Sequence, residues 1–181
     1  SSSASTSAAS ASASSADYDA MFEQTISTSV GALTDSSESS AYKDIADMYM
    51  YWATNVSQGT FTSSTSVTTL IGEANSYYKK CIDSNATKND LSTDDANAVT
   101  VNYALTVYDM GDTSTAITQL EEFTATTTDY PEAWAYLGSF YEQSGESDKA
   151  KTAYEQALGV ADSASDSTLI ESVQSSLDAL G

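Results

Sequence analysis

Two glycines, Gly111 and Gly145, stand 34 residues apart, and the residues around them keep the same spacing. Ala104 aligns with Gly138, Ala116 with Ala150, and Leu120 with Tyr154. This repeat constrains the fold more than any other feature of the chain. It has the length of one helical hairpin, and a hairpin cannot bury its apolar face alone, so the units must stack. The spacing also makes sense within each unit. A small residue in the first helix lets its partner cross closely, a glycine ends that helix, and a second small residue early in the next helix completes the approach.

The apolar residues agree. From Asp17 onward they recur at three- and four-residue intervals, with little strict alternation, so the chain reads as helical throughout. Asp17 can cap a helix that carries Phe22, Ile26 and Leu33. A second helix spans about Glu38 to Ser57 and is stopped by Gly59. A third runs from Val67 to Ile82, followed by a polar stretch from Asp83 to Thr93. Asp94 to Met110 is next, and Asp112 or Thr113 opens the helix after Gly111. Pro131 sits at a helix start, where its missing N–H costs nothing. Glu132 to Ser144, Ser147 to Val160 and Ser165 to Leu180 complete eight short helices.

Residues 131 to 158 read PEAWAYLGSFYEQSGESDKAKTAYEQAL. The segment resembles the tetratricopeptide repeat, with Trp134, Leu137, Gly138 and Tyr141 in its first helix (A) and Ala150, Tyr154 and Ala157 in its second (B). The resemblance implies an all-α fold of antiparallel helical hairpins stacked as a short superhelical array. Clear units span 97–130 and 131–164, and a divergent unit spans about 45–83. Capping helices lie at about 17–34 and 165–180. In the divergent unit Ala74, Tyr78 and Cys81 take the helix B positions. Its turn is some ten residues too long, and Trp52 falls where a small residue is expected.

The same resemblance implies a partner-binding concave face lined by the A helices. Its ligand-facing positions carry over to Glu132, Ala135, Ser139 and Glu142 in the clear unit. They fall on Ala98, Val101, Leu105 and Tyr108 in the looser one, and on Ala46, Tyr49, Ala53 and Val56 in the divergent one. The candidate groove is therefore Tyr49, Val101, Leu105, Tyr108, Ala135, Ser139 and Glu142. The implied role is a non-catalytic interaction module with a protein or peptide partner.

Charge narrows that partner. The chain has 26 Asp and Glu against 6 basic residues, all lysine, and no histidine, for a net charge of −20. Nucleic-acid phosphates and anionic membrane surfaces need a basic stripe that six scattered lysines cannot supply. Without arginine there is no bidentate carboxylate clamp. A basic or apolar protein segment is the expected ligand. Residues 1–16 form a Ser/Ala-rich tether, which resembles the linker after the lipidated cysteine of bacterial lipoproteins or the stalk after a membrane helix. This implies an extracytoplasmic, anchored protein at a bacterial cell envelope, its anchor upstream of Ser1. A surface protein that binds a peptide or sugar is the alternative, and a deep pocket lined by Trp52 and tyrosines would favour it.

Chemistry is not expected. Cys81 reads as a buried apolar residue, with no imidazole to activate it. The acidic pairs Glu121–Glu122, Asp94–Asp95 and Asp44–Asp47 read as solvated faces. No nucleophile elbow or phosphate loop occurs, and no cofactor is implied. The stretch Asp83–Asp95 offers oxygen ligands at alternate positions, as a calcium loop would, without the central Gly and terminal Glu of an EF-hand.

Overall fold

The computed structural model describes residues 14–181. Most of the expected tether, residues 1–13, lies outside the described residues. Its end does not, because α1 (Ser15–Gly31) starts two residues before Asp17. Ser14 is the N-cap: its Oγ accepts from Asp17 N at 3.2 Å, and Asp17 Oδ2 accepts from Ser14 N at 2.9 Å. Asp17 thus closes a reciprocal capping box from the third helical position and is not itself the cap.

Seven more helices follow: α2 (Ser39–Ser57), α3 (Val67–Lys88), α4 (Thr93–Asp109), α5 (Thr113–Thr126), α6 (Pro131–Gln143), α7 (Ser147–Val160) and α8 (Ser167–Leu180). Among the described residues there is no strand. Each helix packs chiefly on its neighbours in sequence. The hairpins α2/α3, α4/α5 and α6/α7 stack as an all-α array, flanked by α1 and α8.

Two buried clusters form the core. One joins α1, α2 and α3 with Val99 of α4, and the other joins α4 through α8. Tyr103 on α4 packs against both. The repeat positions do the work expected of them. Ala104, Ala116 and Ala150 are fully buried at the helix crossings. At Gly138 the approach is closer still, since a Cβ there would stand 2.6 Å from Tyr154 Cδ1.

Two stretches differ from the sequence reading. The long α2–α3 turn is anchored to α1. Its Phe61 is buried and stacks on Tyr18 and Phe22, with ring centroids 4.9 and 6.1 Å apart. In addition, α3 continues past Ile82 to Lys88. Asn89 stops it in the left-handed region at φ 50°, a conformation that asparagine tolerates better than most residues. The polar tail therefore stays helical as far as Lys88, and its side chains serve the fold. Asp83 pairs with Lys79 at 3.0 Å, Asn85 Oδ1 accepts from Leu91 N, and Asp90 Oδ2 accepts from Ser39 N. Asp83, Asn85 and Thr87 thus lie on a helix, where alternate residues do not point to one side as they would in a calcium loop. Among the described residues no group of three or more His, Cys, Asp or Glu side chains is placed to hold a metal ion.

Candidate functional site

The A helices are α2, α4 and α6. Between α6 and α8 lies a groove of about 450 Å³. Glu132, Ala135 and Tyr136 line it from α6, and Asp166, Leu169 and Val173 from the far side. Two expected ligand-facing positions, Glu132 and Ala135, thus share one acidic cleft with Tyr136. Burial and then the nearby Glu132 carboxylate push the Tyr136 hydroxyl pKa up.

The other candidates fall as follows. Tyr108 is half-buried and stacks flat on Phe140, with centroids 3.9 Å apart, which joins α4 to α6. Leu105 is half-buried against the α4–α8 core, and Ser139 is also half-buried. Glu142 accepts the Tyr154 hydroxyl at 2.7 Å, so part of its hydrogen-bonding capacity is spent inside the hairpin. Val101 is 2 % exposed and belongs to the core, out of reach of a partner. Ala46 and Ala53 are buried as well.

Tyr49 faces the opposite way. In α2 the buried pair is Trp52–Ala53, matching Leu137–Gly138 in α6. The small crossing residue is therefore Ala53 and not Trp52, a shift of one position. The shift arises because Gly59 follows Ala53 by six residues while Gly145 follows Gly138 by seven. Tyr49 then corresponds to Trp134 and lines a groove on the B-helix side.

Two such B-side grooves exist. One, of about 550 Å³, lies between α5 and α7 over an α6 floor of Trp134, Leu137 and Tyr141. Trp134 is only half-buried there, and its Nε1 donates to Thr128 O at 2.8 Å. The second, of about 400 Å³, lies between α1 and α3 over an α2 floor of Tyr49 and Trp52. Tyr49 stacks against Trp52 and Tyr77 at 6.4 and 6.0 Å, and Glu23 and Glu73 flank the rings. All three grooves are open clefts on the surface.

The acidic residues do more than solvate the surface. Tyr78 donates to Asp47 Oδ1 at 2.6 Å, Tyr141 donates to Glu121, and Tyr154 to Glu142. Burial first, and then these carboxylates, raise all three phenol pKa values, that of Tyr154 to about 12. Two acids read as solvated faces, Asp47 and Glu121, are thus hydrogen-bond acceptors between helices. Burial likewise raises the Cys81 thiol to about 11, so it stays protonated and unreactive.

One polar residue escaped the sequence reading. Asp19 on α1 is 7 % exposed and accepts four hydrogen bonds. They come from Trp52 Nε1 at 3.2 Å, Ser63 Oγ at 2.6 Å, Ser64 N at 2.7 Å and Ser64 Oγ at 3.0 Å. Its only signal in the sequence was an acid among helix-spaced apolar residues.

Residues 131–163, which hold α6 and α7, match the family model of the tetratricopeptide repeat. Over 80 % of its length the chain is similar in fold to the crystal structure of MamA, with a TM-score of 0.57 and 22 % identity, covering 72 % of that chain. A second structure, of MamA protein, aligns with a TM-score of 0.44 and 21 % identity, over 81 % and 72 %. A search of curated proteins gave no match. The fold class is a helical-repeat array of tetratricopeptide type.

Proposed function

We propose that this chain is a non-catalytic protein–protein interaction scaffold that holds a basic or apolar partner segment along its A-helix face. The α6–α8 groove carries this reading, because it gathers Glu132, Ala135, Tyr136 and Asp166 into one acidic, aromatic cleft. Leu105, Tyr108, Ser139 and Glu142 extend the face along α4 and α6. Burial removes Val101 from the contact surface, and Tyr49 lies on the other side. Open clefts suit an extended segment better than an enclosed sugar or peptide ligand. The Ser/Ala tract before α1 supports an anchored position at the cell envelope.

The test is a photo-reactive residue at position 135, with a second at exposed position 155 on α7 as the control, in native envelope fractions. A partner cross-linked from 135 and not from 155, and released by Glu132→Lys, is the expected result. Equal labelling from both positions would remove the A-face reading.

A further inference from the structure

The two B-side grooves are built from corresponding residues. Ala74, Tyr78 and Cys81 of α3 occupy the places of Ala150, Tyr154 and Ala157 of α7, and all six are essentially buried. Glu73 therefore corresponds to Lys149. In the α5–α7 groove Lys149 holds its ammonium 5.4 Å from the Tyr141 ring centroid and 2.8 Å from Glu146 Oε1. That groove is supplied with a cation by the chain itself, seated between an aromatic face and a carboxylate.

The α1–α3 groove has an aromatic floor of its own, and no lysine lines it. Tyr49, Trp52 and Tyr77 line it, and in place of the lysine it carries Glu73, with Glu23 opposite on α1. Both glutamates are exposed, and neither forms an ion pair among the described residues. Glu73 is close enough to help raise the pKa of both Tyr49 and Tyr77, after burial. Lys80 stands 4.4 Å from the Tyr77 centroid but does not line the groove. Tyrosine faces beside unpaired carboxylates attract cations, and more strongly as water is displaced.

From this pairing we infer that the α1–α3 groove is a second docking site, which takes a lysine or arginine side chain from a basic protein segment. The seat itself differs from that of Lys149, since Val56 and Leu70 stand where Tyr141 and Glu146 flank that lysine, so the partner's cation lies between Glu23, Glu73 and the Tyr49 and Tyr77 rings. This site lies on the B-helix side and stands apart from the A-face reading, so either can fail alone.

The probe is an N-acetylated, C-amidated trilysine peptide, titrated into the ¹⁵N-labelled chain. The two tryptophans give one indole N–H reporter per groove, Trp52 for this one and Trp134 for the other. The peptide should shift the Trp52 indole and leave that of Trp134 in place, and its side-chain-acetylated form should shift neither. Glu73→Gln should weaken binding about fivefold, the upper size of one exposed ammonium–carboxylate contact, because the rings stay in place. Glu155→Gln should leave binding within about twofold, as for an exposed charge elsewhere. Glu73→Lys should abolish binding by supplying the groove with its own ammonium. Glu73 is exposed, so a melting curve that matches wild type accompanies each result. Equal losses in the Glu73 and Glu155 variants, or equal shifts of both indoles, would reduce the effect to net-charge attraction and overturn the inference. Loss in Glu132→Lys with none in Glu73→Gln would place the peptide on the A face and overturn it while sparing that reading.

Discussion

Gly138 and Tyr154 meet so closely that a Cβ on the glycine would stand 2.6 Å from Cδ1 and 2.7 Å from Cε1 of the ring. In the preceding unit the corresponding residues are Ala104 and Leu120, both fully buried. A larger small residue there faces a smaller large one. The total volume at the crossing is conserved, as close-packed interiors require.

Gly138→Ala is therefore expected to destabilise the array. Alanine favours a helix by up to about 1 kcal/mol over glycine, whereas overpacking costs about 1–3 kcal/mol. The clash is with a ring pinned by the Glu142 hydrogen bond, so it should win. The double variant Gly138→Ala with Tyr154→Leu recreates the Ala104–Leu120 pair and should recover stability relative to Gly138→Ala alone. Urea midpoints of the wild type, the two single variants and the double variant check this. A Gly138→Ala protein as stable as wild type would show that the ring moves aside freely.

Asp19 ties three parts of the chain together, so its removal should cost more than a surface substitution. Asp19→Ala leaves the buried Trp52 N–H and the Ser64 N–H without their acceptor. A loss of about 2–3 kcal/mol is expected in urea unfolding. Asp19→Asn keeps one acceptor oxygen but turns an amide N–H₂ toward donors, so it should fall between wild type and alanine. A loss in Asp19→Ala no larger than that of an exposed Asp→Ala would mean that the α2–α3 turn holds without the carboxylate.

The sequence made the repeat legible because each feature was local: a glycine stop, a small residue, an aromatic at fixed spacing. The positions of α4 to α8 followed from those features. The α1–α3 half was harder to read. Its crossing residue is Ala53, and the one-residue slip cast Tyr49 as a groove residue of the wrong face. The end of α3 was missed because an asparagine, not a glycine, adopts the left-handed stop. Asp19 was invisible because its partners, Ser63 and Ser64, lie more than forty residues away in an irregular turn. The α6–α8 groove was only half legible, since spacing gave Glu132 and Ala135 but not the α8 wall.

Acid should also reach Asp19. Burial alone would raise its pKa, but hydrogen bonds from Ser63, Ser64 and Trp52 outweigh this and hold it below the ordinary 3.8. A carboxyl whose folded pKa is depressed contributes stability above the unfolded value, and that stability is lost as pH falls through the folded one. Protonation of the other carboxylates relieves self-repulsion at the same time, so the wild-type curve mixes two opposing trends. The difference between wild type and Asp19→Ala isolates the one group. It should be constant from pH 7 to about 5 and shrink below about pH 4. A difference that stays the same down to pH 2 would mean that the neutral carboxyl serves as well.

Alkali acts on the tyrosines with the opposite sign. The Tyr154 hydroxyl is pushed from 10.0 to about 12, by burial first and then by its bond to Glu142, and Tyr78 and Tyr141 shift in the same direction. A group whose folded pKa is raised contributes stability that is complete below the unfolded value and is lost as pH rises through the folded one. The array should therefore hold to about pH 10 and weaken from there toward pH 12. Ultraviolet titration of the phenolates should show a late group, Tyr78, Tyr141 and Tyr154, that ionises together with the loss of helical circular dichroism. Tyr154→Phe removes one member of the late group and the hydrogen bond to Glu142. It should lower stability at pH 7 and flatten the alkaline loss. A single phase near pH 10, with the helices intact, would show that the three interhelical tyrosine–carboxylate bonds do not resist ionisation.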